Sequence, residues 1–409
     1  MSLQETPTAN RLHIGFFGRC NSGKSTLINA FTAQDVTIVS PVAGTTTDVV
    51  QKNIELHGLG PCTLLDTAGF DDKSSDLGSL RLARTAQAAE KVDIAVVVFD
   101  AEDLSYEEEW LAHFKEQNTP VVAVVSKCDL RTPDPAWLEK ISALVDDDVI
   151  TLDITRREDM NALRYKLASV NPLREEPEIT HGLVQEGDLV LLVMPQDIQA
   201  PKGRLILPQV QTIRELLDKR ALIFSVTPDH LDDALASLKN PPALIITDSQ
   251  VFAYVHERTP KETRLTSFSV LFAGLKGDIA TYIQGAQAIA ELTPDSRVLI
   301  AELCSHAPLE EDIGRVKIPR KLRQRYGESI QVDICAGADF PEDLSSYDLI
   351  IQCGACMVNR KLVQNRITRA KKAGVPITNY GIAIAYMKGI LRRSIAVFPK
   401  LLAELEETT

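Results

Sequence analysis

The sequence predicts an α/β protein of three successive α/β blocks, the first a doubly wound, mostly parallel sheet. Three observations predict it. Short Val- and Ile-rich runs alternate with helix-length segments along nearly the whole chain. Most runs of the first block are rich in Val and Ile and bounded by turn or polar residues, the pattern of buried parallel strands. A segment with two prolines and a charge cluster, 171–181 (NPLREEPEITH), reads as a linker to the remainder.

In the first block, residues 12–170, the expected strands are 12–17, 62–65, 94–99, 121–125 and 149–152. The intervals between them are of helix length, which gives a sheet covered on both faces. In the second block, roughly 183–264, the expected strands are 189–194, 221–226 and 243–247. Its expected helices are 210–220 and 231–239, and it carries no clustered chemistry, so packing or association is its plain reading. The third block, about 265–409, has expected strands at 269–272, 297–303, 329–334 and 349–351. Helices are expected there at 358–373 and 382–392.

The chain has 409 residues, room for two or three domains at roughly 150 residues each. It is 44% hydrophobic and 24% charged, a globular composition that excludes disorder as the main state. A net charge of −12 argues against a protein that coats nucleic acid. No apolar run reaches the ~18 residues of a membrane span. The opening MSLQETPTANR lacks the apolar core of a signal peptide, so the cytoplasm is the expected compartment. Seven scattered cysteines do not make a disulfide framework. In a reducing compartment, clustered cysteines read as metal ligands or reactive thiols.

Gly18-Arg19-Cys20-Asn21-Ser22-Gly23-Lys24-Ser25 matches G-x-x-x-x-G-K-[ST], after an expected strand and before an expected helix starting at Thr26. Glycines let backbone N–H groups wrap a triphosphate, and the helix N-terminus adds its positive end. Lys24 should reach the β and γ phosphates, and Ser25 should hold Mg²⁺. Asp66-Thr67-Ala68-Gly69 closes the second run. Asp66 can hold Mg²⁺ through water, and the Gly69 N–H can sense the γ-phosphate. Gly44-Thr45-Thr46-Thr47-Asp48 supplies hydroxyls for Mg²⁺, Thr46 first and Thr45 next. Ser126-Lys127-Cys128-Asp129 closes the fourth run. Asp129 can accept two hydrogen bonds from guanine that adenine cannot supply, and Lys127 can lie over the ring. The expected cofactor is therefore GTP or GDP. The expected catalytic set is Lys24, Thr46, Asp66 and Gly69. Gly18, Asn21, Ser22, Gly23, Ser25, Thr26, Thr45, Ser126, Lys127 and Asp129 complete the nucleotide contacts.

A second constellation lies in the third block. Cys304-Ser305-His306 follows one expected strand, and Cys353-Gly354-Ala355-Cys356 follows another. Open α/β sheets bind ligands beyond the carboxyl ends of strands, so the two groups can converge. Thiolates select zinc, copper(I) or iron–sulfur clusters. Closed structural zinc wants four firm ligands. Three cysteines with an uncertain fourth ligand suit a 4Fe-4S cluster with one accessible iron. C-x-x-C alone also suits a redox pair or two buried thiols. Cys335 and Cys62 lie in expected strands and read as core thiols. Cys20 and Cys128 belong to the nucleotide loops.

The nucleotide motifs resemble the translation-factor-related GTPases, in the branch containing Era and the tRNA-modification GTPase. That resemblance implies that Asn21 helps bind K⁺, which then stands where other GTPases place an arginine finger. Three residues depart from the pattern. Ser126 replaces an Asn, Phe70 follows the D-T-A-G and cannot orient a water, and Leu80 in Gly78-Ser79-Leu80-Arg81 stands where the tRNA-modification GTPase has a Glu. A slow, cation-stimulated GTPase is the expectation. Asp153-Ile154-Thr155 is a positional candidate for the remaining guanine loop.

With the cysteine set included, nearly the whole chain resembles the GTPase maturases of FeFe-hydrogenases, the HydF family. The matching strings include Ala200-Pro201-Lys202-Gly203-Arg204, Lys276-Gly277-Asp278, Asp312-Ile313-Gly314-Arg315 and Thr378-Asn379-Tyr380-Gly381. The resemblance implies a GTPase domain (1–170), a small α/β dimerisation domain (178–264) and an α/β iron–sulfur cluster-binding domain (265–409). It implies a homodimer with a 4Fe-4S cluster on Cys304, Cys353 and Cys356. It further implies a scaffold or carrier for the two-iron precursor of the H-cluster, loaded by two radical-SAM maturases and unloaded onto apo FeFe-hydrogenase. No membrane or nucleic-acid partner is implied. The family's second His is Gln352 here, which leaves His306 as the leading fourth ligand, with Glu302 or water as the others. The competing reading is an RNA, ribosome or tRNA-modification factor with a structural zinc module. Its support is six basic residues in each of 315–325 and 360–372.

Overall fold

The computed structural model describes residues 6–33, 37–42, 49–71, 76–172, 177–196, 205–303, 312–337 and 339–407. Contacts divide the chain into two compact units, Met1–Glu176 and Pro177–Thr409.

The first unit holds a seven-stranded sheet. Its strands are β1 (Leu12–Gly18), β2 (Thr37–Val42), β3 (Val50–Leu56), β4 (Gly60–Asp66), β5 (Ile94–Phe99), β6 (Val121–Val125) and β7 (Ile150–Thr151). The order is β2-β3-β4-β1-β5-β6-β7. The β2–β3 and β3–β4 pairs are antiparallel, and the rest are parallel. All five expected runs lie on strands. β2 and β3 are additions: β3 reads VQKNIEL, with no continuous apolar run to announce a strand.

Each face of this sheet is closed by helices whose apolar residues recur at helical spacing. Leu27, Ile28 and Phe31 of the helix Lys24–Ala33 join Met160, Leu163 and Leu167 of the helix Arg157–Ser169 on one face. Trp110, Leu111 and Phe114 of the helix Ser105–Glu116 close the other. Two-sided cover is what buries the glycine loop's base and leaves its mouth at the sheet's carboxyl edge.

The second unit holds two four-stranded sheets, each wholly parallel. One contains β8 (Leu189–Val193), β9 (Leu222–Val226), β10 (Leu244–Thr247) and β11 (Arg264–Ser267), in the order β11-β10-β8-β9. The other contains β12 (Arg297–Glu302), β13 (Gln331–Ala336), β14 (Leu349–Gln352) and β15 (Ile377–Asn379), in the order β13-β12-β14-β15.

Three expectations are corrected here. The strand expected at 269–272 lies inside the helix Phe268–Lys276. A four-residue apolar run cannot distinguish a strand from a helix buried all round. The deciding feature is Ser267, whose side chain accepts from the Val270 N–H at 3.3 Å and caps the helix. The boundary expected between 264 and 265 falls inside β11, an edge strand of the first four-stranded sheet. The following helix packs Phe268, Leu271 and Phe272 into that sheet's core and Val270 and Ala273 into the next. The helix expected at 382–392 is two, Tyr380–Met387 and Leu391–Ile395. Gly389, at φ 71°, takes the left-handed turn between them.

Candidate functional site

β1 ends at Gly18 and the helix Lys24–Ala33 begins six residues later, with the glycine-bounded loop between. Gly18 has φ 151°, and a Cβ there would lie 2.6 Å from the Val98 carbonyl oxygen. Gly23 has φ 96°, and a Cβ there would lie 3.1 Å from Ser126 Oγ. Only glycine meets both demands. Asn21 sits in the left-handed region at φ 60°. A left-handed residue in a loop that opens a helix builds an anion cradle from backbone N–H groups.

Lys24 Nζ donates to the carbonyls of Gly18 (2.9 Å) and Arg19 (2.7 Å). Burial pushes its pKa down, and Asp66 pulls it back up. Asp66 ends β4 opposite Phe16 of β1. Among the described residues its buried Oδ1 accepts no hydrogen bond, and Ser22 Oγ is likewise buried without a partner. Native proteins seldom leave such atoms unpaired. Ser25 and Thr26 are exposed at the helix start. A glycine cradle beside an orphaned carboxylate oxygen fits a magnesium–triphosphate group.

The D-T-A-G loop packs directly on the phosphate loop. A Cβ on Gly69 would collide with Cys20 N and Sγ. The Cys20 N–H donates to Asp71 Oδ1 at 2.7 Å, and the Phe70 N–H to the Gly18 carbonyl at 3.4 Å. The Phe70 ring is buried and stacks on Trp110, with centroids 5.4 Å apart and planes 18° apart. Such a pair adds about 1 kcal/mol beyond its buried area. The side chain after D-T-A-G therefore anchors this loop in the core and offers nothing polar. Leu80 is 48% exposed. Arg19 is committed elsewhere: its guanidinium binds both oxygens of the fully buried Glu107 at 2.9 and 3.0 Å.

At the guanine end, Lys127 Nζ donates to the Asn21 carbonyl and to Asp100 Oδ2, both at 2.7 Å. Ser126 Oγ donates to the Ser22 carbonyl at 2.6 Å, so the substituted serine still ties this motif to the phosphate loop. Asp129 is exposed. The Leu152 N–H bonds the Val125 carbonyl and the Cys128 N–H bonds the Leu152 carbonyl. These bonds bring Asp153–Thr155 beside the motif, where Asp153 Oδ1 accepts from Thr155 N and Oγ1 at 2.8 and 2.5 Å. Glu107 and Asp100 escape sequence reasoning because their partners lie 88 and 27 residues away.

In the third sheet Ala301 of β12 faces Gln352 of β14, and Gln352 faces Asn379 of β15. Cys353 directly follows β14. Its N–H donates to the Ala301 carbonyl at 2.9 Å, and its Sγ accepts from the Leu303 N–H at 3.1 Å. Ala355 is left-handed at φ 54°, which curls the loop toward the half-buried Cys356. Cys304 and His306, directly after Leu303, lie outside the described residues, as do Thr45 and Thr46. Among the described residues, no three His, Cys, Asp or Glu side chains gather as a metal site.

Gln352 is fully buried, and its Nε2 donates to the Tyr282 hydroxyl, so it turns into the core. Glu302 is held by Arg315 at 3.1 Å (Nε) and 2.8 Å (Nη2). Cys62 and Cys335 are buried core thiols. Burial pushes Cys62 up to about 12 and raises Cys335.

Residues 179–277 match the model described as the hydrogen maturase F dimerization domain, and residues 280–397 match the hydrogen maturase F tetramerization domain. The chain belongs to the hydrogen maturase F (HydF) family. The HydF dimerization match runs through the helix that follows β11, in line with the corrected boundary. Residues 13–127 match the 50S ribosome-binding GTPase model, and the first unit of this HydF chain is a P-loop GTPase domain.

Among curated proteins, the chain is similar to the tRNA modification GTPase MnmE of Burkholderia cenocepacia. It is 30% identical over 187 residues, 46% of this chain and 40% of the relative. The MnmE of Paraburkholderia xenovorans is 31% identical over 182 residues. The chain thus spans about 40% of the length of these relatives. Among solved structures, Aquifex aeolicus Era bound to GDP and AlF4⁻ has a TM-score of 0.33 at 19% identity, covering 53% of this chain and 92% of Era. The FeoB G-domain of Methanococcus jannaschii has a TM-score of 0.30 at 19% identity, covering 39% of this chain and 97% of that domain. No helix among the described residues is long and apolar enough to cross a membrane.

Proposed function

We propose that this chain is a slow GTPase that serves as the scaffold and carrier of H-cluster maturation. It holds a 4Fe-4S cluster on Cys304, Cys353 and Cys356, receives the two-iron precursor from radical-SAM maturases and delivers it to apo FeFe-hydrogenase. One observation carries the reading. A phosphate-loop cradle and a C-x-x-C loop at a strand's carboxyl end occur together in one HydF chain.

In the GTPase domain, Lys24 and the loop N–H groups hold the phosphates, with Asn21 placed for K⁺. Magnesium, held by Ser25, Thr46 and Asp66, neutralises phosphate charge when bound. Gly69 senses the γ-phosphate. Turnover is expected to be slow because Phe70 is buried and Arg19 is locked to Glu107. In the third domain His306 remains the leading fourth ligand, since Glu302 is paired to Arg315 and Gln352 faces the core.

Asp129 should select guanine. Asp129→Asn is expected to weaken GDP binding about 10- to 100-fold, the worth of one or two hydrogen bonds to a charged acceptor. Competition against a fluorescent GDP reads this directly, and unchanged affinity removes the assignment.

The dimerisation surface is assigned to the β9 edge. Leu222 on that strand is 60% exposed, and Leu217 on the preceding helix is 58% exposed. An exposed apolar strand edge invites pairing with a second copy. The double variant Leu217→Glu, Leu222→Lys should lower the mass seen by light scattering, and an unchanged mass counts against this edge.

The whole reading is tested by iron and zinc analysis with electron paramagnetic resonance (EPR) after anaerobic reconstitution. About four irons per chain with a 4Fe-4S signal are expected. One zinc, no iron and no signal would instead bring forward the RNA or tRNA-modification factor with a structural zinc.

A further inference from the structure

Three parallel strands of the third sheet end side by side at one edge. Their register places Glu302, Cys353 and Tyr380 just beyond the paired row Ala301, Gln352, Asn379. Two tyrosines, Tyr282 and Tyr380, border this edge. Their hydroxyls differ. That of Tyr282 is engaged by Gln352 Nε2. That of Tyr380 is buried and has no hydrogen-bond partner among the described residues.

The Tyr380 ring is held in place. Asn379 Oδ1 accepts from the Ile382 N–H at 2.9 Å and caps the helix that Tyr380 begins. Gly314 packs against the hydroxyl so closely that a Cβ there would overlap it. A buried hydroxyl at the strand edge that carries Cys353, with no partner among the described residues, calls for an acceptor at that position.

We infer that Tyr380 is a positioning residue whose hydroxyl donates a hydrogen bond to a sulfur of the cluster site beside Cys353, and so tunes the reduction potential there. The inference rests on the reading of Cys304, Cys353 and Cys356 as cluster ligands. A hydrogen bond to sulfur draws off negative charge and favours the reduced state. The Tyr282 hydroxyl is turned to Gln352, whose Nε2 it accepts from, whereas the Tyr380 hydroxyl has no such neighbour among the described residues.

Tyr380→Phe removes the hydroxyl and keeps the ring. The test is an EPR-monitored redox titration of the reconstituted full chain, wild type beside Tyr380→Phe. The variant should keep the wild-type iron content and 4Fe-4S signal, and its midpoint should move to more negative potential. In D2O-exchanged samples, electron–nuclear double resonance should lose one exchangeable hydrogen coupling. An unchanged midpoint at full iron loading overturns the inference, even if melting temperature falls, because a packing role moves stability alone. Wild-type iron uptake with none in the variant also overturns it, since Tyr380 would then build the site rather than tune it. If neither protein takes up iron, the cluster reading itself fails, and this inference with it.

Discussion

Lys24→Met is expected to lower GTP turnover by about 10²- to 10³-fold, the usual cost of removing one preorganised group that stabilises transition-state charge. The two other basic side chains at the loop are already committed. Arg19 binds both oxygens of Glu107, and Lys127 binds Asp100. Lys24 instead donates to the Gly18 and Arg19 carbonyls, bonds that phosphate oxygens can replace. Methionine keeps most of the aliphatic stem that fills this buried position, so the melting temperature should change little while the rate collapses. Phosphate release, measured beside thermal unfolding, separates the two. A variant that retains a tenth or more of the rate would mean that the loop does not handle phosphate as argued.

Cys353→Ala is expected to take reconstituted iron from about four per chain to well below one, and to abolish the 4Fe-4S signal. Cys353 joins the two loops that carry the thiols: its sulfur accepts from the Leu303 N–H, one residue before Cys304. Losing it removes one of the three proposed ligands and the sulfur to which the Leu303 N–H donates. The cost to the fold should be only about 1 kcal/mol, typical of a point substitution. The residue is half-buried, and its backbone bond to Ala301 survives. Iron assay and EPR, with melting temperature as the control, decide the matter. Full iron loading in the variant would sink the ligand assignment.

Much of the fold was legible because buried parallel strands carry their own signal. The runs inside Leu12–Gly18, Gly60–Asp66, Ile94–Phe99 and Val121–Val125 are short, mostly apolar and largely buried. β2 and β3 were not legible: β2 is the sheet's edge strand, and β3, between β2 and β4, reads VQKNIEL with no continuous apolar run. The helix Phe268–Lys276 was misread because it is apolar on nearly every side, shared between two cores, and so has no helical stripe to show.

Sequence alone determined the chemistry at stake. A glycine-bounded loop ending in Lys-Ser, an Asp at a strand end and a C-x-x-C after another strand are local patterns, set by what a backbone needs to wrap a phosphate or present two thiols. Tertiary structure decided which side chains remain available for that chemistry. Arg19 is withdrawn by Glu107, Phe70 by Trp110, Glu302 by Arg315 and Gln352 by Tyr282, while Asp66 Oδ1 and the Tyr380 hydroxyl have no partner among the described residues. Such pairings depend on which strand ends the sheet order brings together, and residues tens of positions apart cannot announce them in a linear string.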